Sequence, residues 1–193
     1  MNKSIAIIIA ILTATVTSTA FAHPGHDTAI GVVAGLMHPL AGVDHLMFLV
    51  GVGVFLAIAS ERSPLVGGVA VLAALSGGAL LGVAGLPLPA VEWFIGTSVL
   101  LAGAALAWAP SLRSVWVLAV AVLFALFHGF AHGVEASAPR GAFVAGFLLT
   151  SLIVMAVSAL AARLYVRRTA VRVAIGAAVA TSGLTLVARL LLA

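Results

Sequence analysis

The sequence predicts an all-α, polytopic transmembrane helical bundle of about six spans behind a cleaved signal peptide. Three observations carry that prediction. Of 193 residues, 64% are apolar and only 7% are charged, whereas a soluble domain carries about 25% charged residues. The mean hydropathy is +1.31. The apolar residues also fall in runs of about 20, the length of helix that crosses a bilayer core. The same composition excludes disorder, which needs low hydrophobicity and high charge. The net charge of +4 does not point to nucleic acid, because its few cations lie mostly between apolar runs, where they set topology. There is no cysteine, which excludes disulfides, thiolate metal sites, cysteine-ligated iron–sulfur clusters and thiol catalysis.

Residues 1–22 read as a secretory signal. Met1-Asn2-Lys3-Ser4 carries one positive charge, Ile5 to Leu12 is apolar, and a small-residue stretch ends Ala20-Phe21-Ala22. This is the three-part pattern with an A-x-A cleavage site. The mature chain then starts His23-Pro24-Gly25-His26-Asp27, outside the cytoplasm. Residues 23–193 form one transmembrane domain, with spans at about 29–59, 65–84, 90–108, 115–134, 141–162 and 171–191. Proline or charge marks each break, as where helices stop. The first segment exceeds one crossing. His38-Pro39 interrupts it, and proline disfavours a helical residue before it. We therefore expect a short outer helix or re-entrant piece over Ala29–Met37 and a span from about Pro39 to Ala59.

With His23 outside, the inner loops hold Arg62, Arg113, Arg163, Arg167, Arg168 and Arg172. The outer loops hold Arg140 alone. The bias obeys the positive-inside rule and places both mature termini in the periplasm of a bacterial inner-membrane protein. Gly31/Gly35, Gly78/Gly82 and Gly129/Gly133 are small-xxx-small pairs, which let helix backbones approach in lipid. No clear repeat relates the two three-helix halves.

Ionisable residues inside spans are costly and usually functional. Two clusters stand out. In His38-Pro39-Leu40-Ala41-Gly42-Val43-Asp44-His45, the histidines are seven apart and would share a helix face. In His128-Gly129-Phe130-Ala131-His132-Gly133-Val134-Glu135, the spacing puts His128, His132 and Glu135 on one face. Both clusters fall at the outer ends of their spans, with Glu92 and with terminal His23, His26 and Asp27. Every histidine and four of the five carboxylates thus lie on the external side. Imidazole and carboxylate without sulfur suit divalent transition metals such as Ni²⁺, Zn²⁺, Cu²⁺ or Co²⁺. Each residue taken alone has a plainer reading. A single histidine in a span is usually packed or hydrogen-bonded, and His128 could merely precede a packing glycine. His23 and His26 could be a loose tail, and Glu92 could favour a helix N-terminus. The shared side argues for a joint metal site.

These residues resemble the HupE/UreJ family of hydrogenase and urease accessory membrane proteins. The likeness lies in His23-Pro24-Gly25-His26 after the signal peptide and in Gly35-Leu36-x-His38-Pro39-Leu40-x-Gly42-x-Asp44-His45. It extends to Glu92 opening a span and to His132-Gly133-Val134-Glu135. The resemblance implies a nickel permease feeding metallocentre assembly, with motif positions at His38, Asp44, His45, Glu92, His132 and Glu135. It implies metallochaperones of hydrogenase or urease maturation as partners, and it leaves nickel against cobalt open.

The expected function is therefore transport of a divalent transition metal, with no permanently bound cofactor and no catalysis. The cargo is Ni²⁺, or Co²⁺ or Zn²⁺. No nucleotide-binding GxxxxGK[ST] motif is present, so uptake is facilitated or ion-coupled unless a partner supplies ATP. One alternative is an intramembrane zinc hydrolase, in which the metal activates water. Another is a haem-bearing electron carrier, distinguishable by a Soret band.

Overall fold

The computed structural model describes residues 31–58, 64–108, 114–165 and 169–192. The expected signal peptide, His23, His26 and Asp27 lie outside these residues. Among the described residues the elements are seven α-helices: α1 Val32–Ala41, α2 Val43–Ile58, α3 Pro64–Val83, α4 Val91–Trp108, α5 Ser114–Val134, α6 Arg140–Tyr165 and α7 Thr169–Leu192. Helices α3 to α7 are each long and apolar enough to cross a membrane. The pair α1 and α2, bent by 82°, is together long and apolar enough for a sixth, broken span or a re-entrant loop. The starts follow local chemistry. Pro64 opens α3 as the first helical residue, where its missing N–H is not needed. The Pro139 carbonyl accepts from the amides of Ala142 and Phe143 to begin α6.

The break in the first span corrects the expectation drawn from His38-Pro39. Both residues are inside α1, and the chain turns at Gly42, whose backbone is extended (φ −90°, ψ 115°). Proline disfavours a helical neighbour only locally, and packing on α6 overrides it. Gly35 rests on the Phe143 carbonyl and Gly146 on the Val32 carbonyl. Thr150 Oγ1 donates to the Leu36 carbonyl at 2.8 Å.

Helix pairing follows the glycines, because lipid supplies no hydrophobic force between helices and close backbone contact takes over. Helices α3 and α5 lie parallel with a reciprocal seam. Gly78 and Gly82 face the backbone of Leu126 and Phe130, while Gly129 and Gly133 face the carbonyls of Leu75 and Ala79. The expected Gly78/Gly82 and Gly129/Gly133 pairs thus meet each other. Gly31 and Gly35 face α6. Helices α4 and α7 lie antiparallel, with Gly103 against Gly176 and Ala180, and Gly183 against Leu100. Gly53 joins α2 to Met155 of α6.

These contacts gather the starts of α1, α4 and α6 and the ends of α3, α5 and α7 at one end of the bundle. Glu92, Glu135, Arg140 and Arg189 stand there, with Arg163 and Arg172 at the opposite end. Large apolar side chains such as Leu65, Leu80, Trp116, Val157 and Leu191 remain exposed. In water such a surface promotes association; in a bilayer it is the lipid-facing skin.

Candidate metal centre

Helix α5 supplies the middle of the site. His128 and His132 are one turn apart, and each is followed by a glycine packed on α3. With the glycines committed to that seam, the imidazoles turn into the bundle, where each is only 1% exposed. Helix α1 brings His38 from its last turn, and α2 brings Asp44 and His45 from its first. Gly42 makes room for that pair. A Cβ there would stand 2.9 Å from Asp44 Oδ1 and 3.0 Å from His45 Nδ1.

The groups form a file running inward. Glu135 lies just past the end of α5 with its side chain 53% exposed, and accepts a 2.7 Å hydrogen bond from His38 Nε2. The His38 ring is 4.8 Å from that of His132. The His132 ring is 4.1 Å from that of His45, and His45 is 4.8 Å from His128. His128 Nε2 lies 2.7 Å from Ser98 Oγ on α4. Aromatic side chains wall the file. Phe48 stacks on His128 at 4.1 Å, Phe147 packs on His132 at 4.2 Å, and Phe143 meets His38 edge-on. His38 and His45 therefore do not share a helix face, as their seven-residue spacing suggested. The bend at Gly42 puts them on different helices, and they meet through His132.

His45 Nδ1 donates to Asp44 Oδ1 at 2.9 Å. Three other ring nitrogens, His45 Nε2, His128 Nδ1 and His132 Nδ1, are buried with no hydrogen-bond partner. Leaving a buried polar atom unpaired costs about 1–3 kcal/mol, so three on adjoining rings call for an explanation such as an ion. The donor set fits one. His38, His132 and Glu135 each offer a ligand atom within 4.8 Å of the others. Ligands held at about 2.1 Å from one metal stand roughly 3–3.5 Å apart, so closure takes only a small inward movement. Glu92 is exposed at the first turn of α4 and lies outside this group.

Ser98 escaped the sequence reading. Its only signal is a hydroxyl within the span Val91–Trp108, and serines there often do no more than bond their own helix. Beyond Ser98 and Phe48 the polar file stops. An apolar cavity of about 380 Å³ continues between α2, α4 and α5 to Trp108 and Trp116 at the opposite end.

A sequence model described as HupE / UreJ protein matches residues 10–186. The chain belongs to the HupE/UreJ family. Protein HupE of Rhizobium leguminosarum bv. viciae is 35% identical over 138 residues, 70% of this chain and 72% of that relative. No solved structure matches the chain. Membership bears out the resemblance drawn from the motifs. HupE/UreJ proteins are an accessory and transporter family associated with hydrogenase and urease and with nickel or cobalt. In this member the motif stretch around His38–His45 and the one at His132–Glu135 come together at one end of the bundle.

Proposed function

We propose that this protein carries divalent transition-metal ions, nickel before cobalt or zinc, inward across the bacterial inner membrane for hydrogenase or urease metallocentre assembly. The observation that carries this reading is the group formed by His38, His132 and Glu135. It joins an exposed carboxylate to a buried imidazole, so it can take a cation from water and begin to desolvate it. Nitrogen and oxygen donors without sulfur favour Ni²⁺, Co²⁺ and Zn²⁺ over softer ions. Carboxylates offset charge that lipid cannot. Asp44, His45, His128 and Glu92 extend the site, with His23, His26 and Asp27 as a periplasmic lure on the mature terminus. The cation is cargo, and metallochaperones receive it on the cytoplasmic side.

Radiolabelled Ni²⁺ uptake in metal-limited cells, with Co²⁺ and Zn²⁺ as competitors, tests the reading. His45→Ala and His132→Ala should each abolish accumulation. Undiminished uptake in both variants overturns it. Tightly held, stoichiometric Zn²⁺ in a purified protein with no uptake phenotype favours the hydrolase alternative.

A further inference from the structure

Ser98 decides how the innermost histidine presents itself. Its hydroxyl has one proton, and it stands 2.6 Å from the Ile95 carbonyl, which can only accept. The proton therefore belongs to that bond. The 2.7 Å contact with His128 is then a hydrogen bond donated by His128 Nε2–H to Ser98 Oγ. A neutral imidazole carries one N–H, so His128 Nδ1 bears a free lone pair. That atom is one of the three buried nitrogens without a partner. Asp44 does the same for His45: accepting from Nδ1–H, it leaves the lone pair on Nε2, the second unpartnered atom. Two residues that are not on the same helix thus fix two neighbouring rings, each with an unused lone pair in a buried site. Such an outer partner sets the tautomer and ring orientation of a metal-ligating histidine.

We propose that a second cation position lies deeper than the first, held by His45 Nε2 and His128 Nδ1, with Ser98 and Asp44 as its positioning residues. His132 touches both His38 and His45; with one lone pair when neutral, it serves the outer and the inner position in turn, not both at once. The proposal rests on the reading of the outer group as the capture site. It adds a sequence of occupancy: a cation moves from mixed carboxylate–imidazole ligation to all-imidazole ligation as it leaves water. The inner position takes a borderline divalent ion and rejects Mg²⁺ and Ca²⁺, which need oxygen ligands. It sits at the last polar layer, immediately before the apolar cavity beyond Phe48 and Ser98.

The experiment titrates the purified, untagged full chain in lipid nanodiscs with Co²⁺, read by visible absorption and calorimetry. His128→Phe keeps ring volume and the stack on Phe48, and should bind one cation fewer than the parent. Glu135→Gln combined with His38→Ala should also lose one, and His132→Ala should weaken both cations without removing the inner one. Ser98→Ala should keep the parent stoichiometry but weaken the inner cation by about tenfold or more. Nitrogen-15 NMR should show the His128 ring passing from a single Nε2–H form to a mixture of tautomers in that variant, which a purely structural role would not produce. Parent stoichiometry in His128→Phe, or an unchanged tautomer and affinity in Ser98→Ala, overturns the proposal. Two cations bound without cellular uptake would leave the inner position standing and remove the transport reading. Uptake with His128→Phe at full stoichiometry would do the reverse.

Discussion

The two faces of α5 do opposite work with alternating residues. Toward α3, Gly129 and Gly133 bring backbone against backbone, leaving no room even for a methyl group. Toward α2 and α4, His128 and His132 carry unpaired buried nitrogens, and an apolar cavity opens beyond them. Close contact on one side holds the helix while the other side keeps polar atoms that a packed core would not tolerate. In a bilayer this division is forced. Association comes from fitted small residues, so the face that fits and the face that functions have to be different ones.

The sharpest way to break this division is on the glycine face. Gly129→Val places side-chain atoms on the Leu75 backbone and should eliminate folded protein, a loss of several kcal/mol of the overpacking kind. His132→Ala, on the other face, should lower the melting temperature in detergent far less while abolishing Ni²⁺ uptake. Equal melting losses in the two variants would mean that both faces are structural. A smaller effect is expected at Glu92, which is exposed at the start of α4 and lies outside the group formed by His38, His132 and Glu135. Glu92→Gln should weaken Ni²⁺ uptake by about two- to fivefold, the range of an exposed charge interaction. Abolished uptake would place Glu92 among the ligands instead. The smallest effect is expected at Gly77, whose neighbour Gly78 is packed as tightly as Gly129. Gly77 has no atom within 4 Å of a built Cβ, whereas Gly78 meets the Leu126 carbonyl. Gly77→Ala should hold or raise stability, by up to about 1 kcal/mol of helix propensity. Gly78→Ala should lower it, and thermal melts of the pair decide.

Much of this architecture is legible in the amino-acid sequence. Hydropathy places α3 to α7 within a few residues, because a bilayer imposes its own length on a helix. The spacing of His128, His132 and Glu135 marks one turn-by-turn ladder, and the small-xxx-small pairs point to real seams. What escapes depends on the third dimension. The turn at Gly42 rather than at His38-Pro39 comes from α6 clamping α1 through Gly35, Gly146 and Thr150, contacts more than 100 residues apart in sequence. Ser98 escapes because a hydroxyl in a span looks the same whether it bonds its own carbonyl or also receives a histidine N–H. That His38 and His45 meet through His132 does not follow from a spacing that assumes one continuous helix.

The apolar cavity has an electrical consequence. A transmembrane potential falls mainly across the low-dielectric part of a protein, and the apolar stretch from Ser98 and Phe48 to Trp108 and Trp116 is the least polar part of this path. Moving a divalent charge through the whole field is worth about 4.6 kcal/mol per 100 mV. In the proposed reading, loading of the histidine file is nearly indifferent to membrane voltage. The step out of it is where an inside-negative cell draws the ion onward.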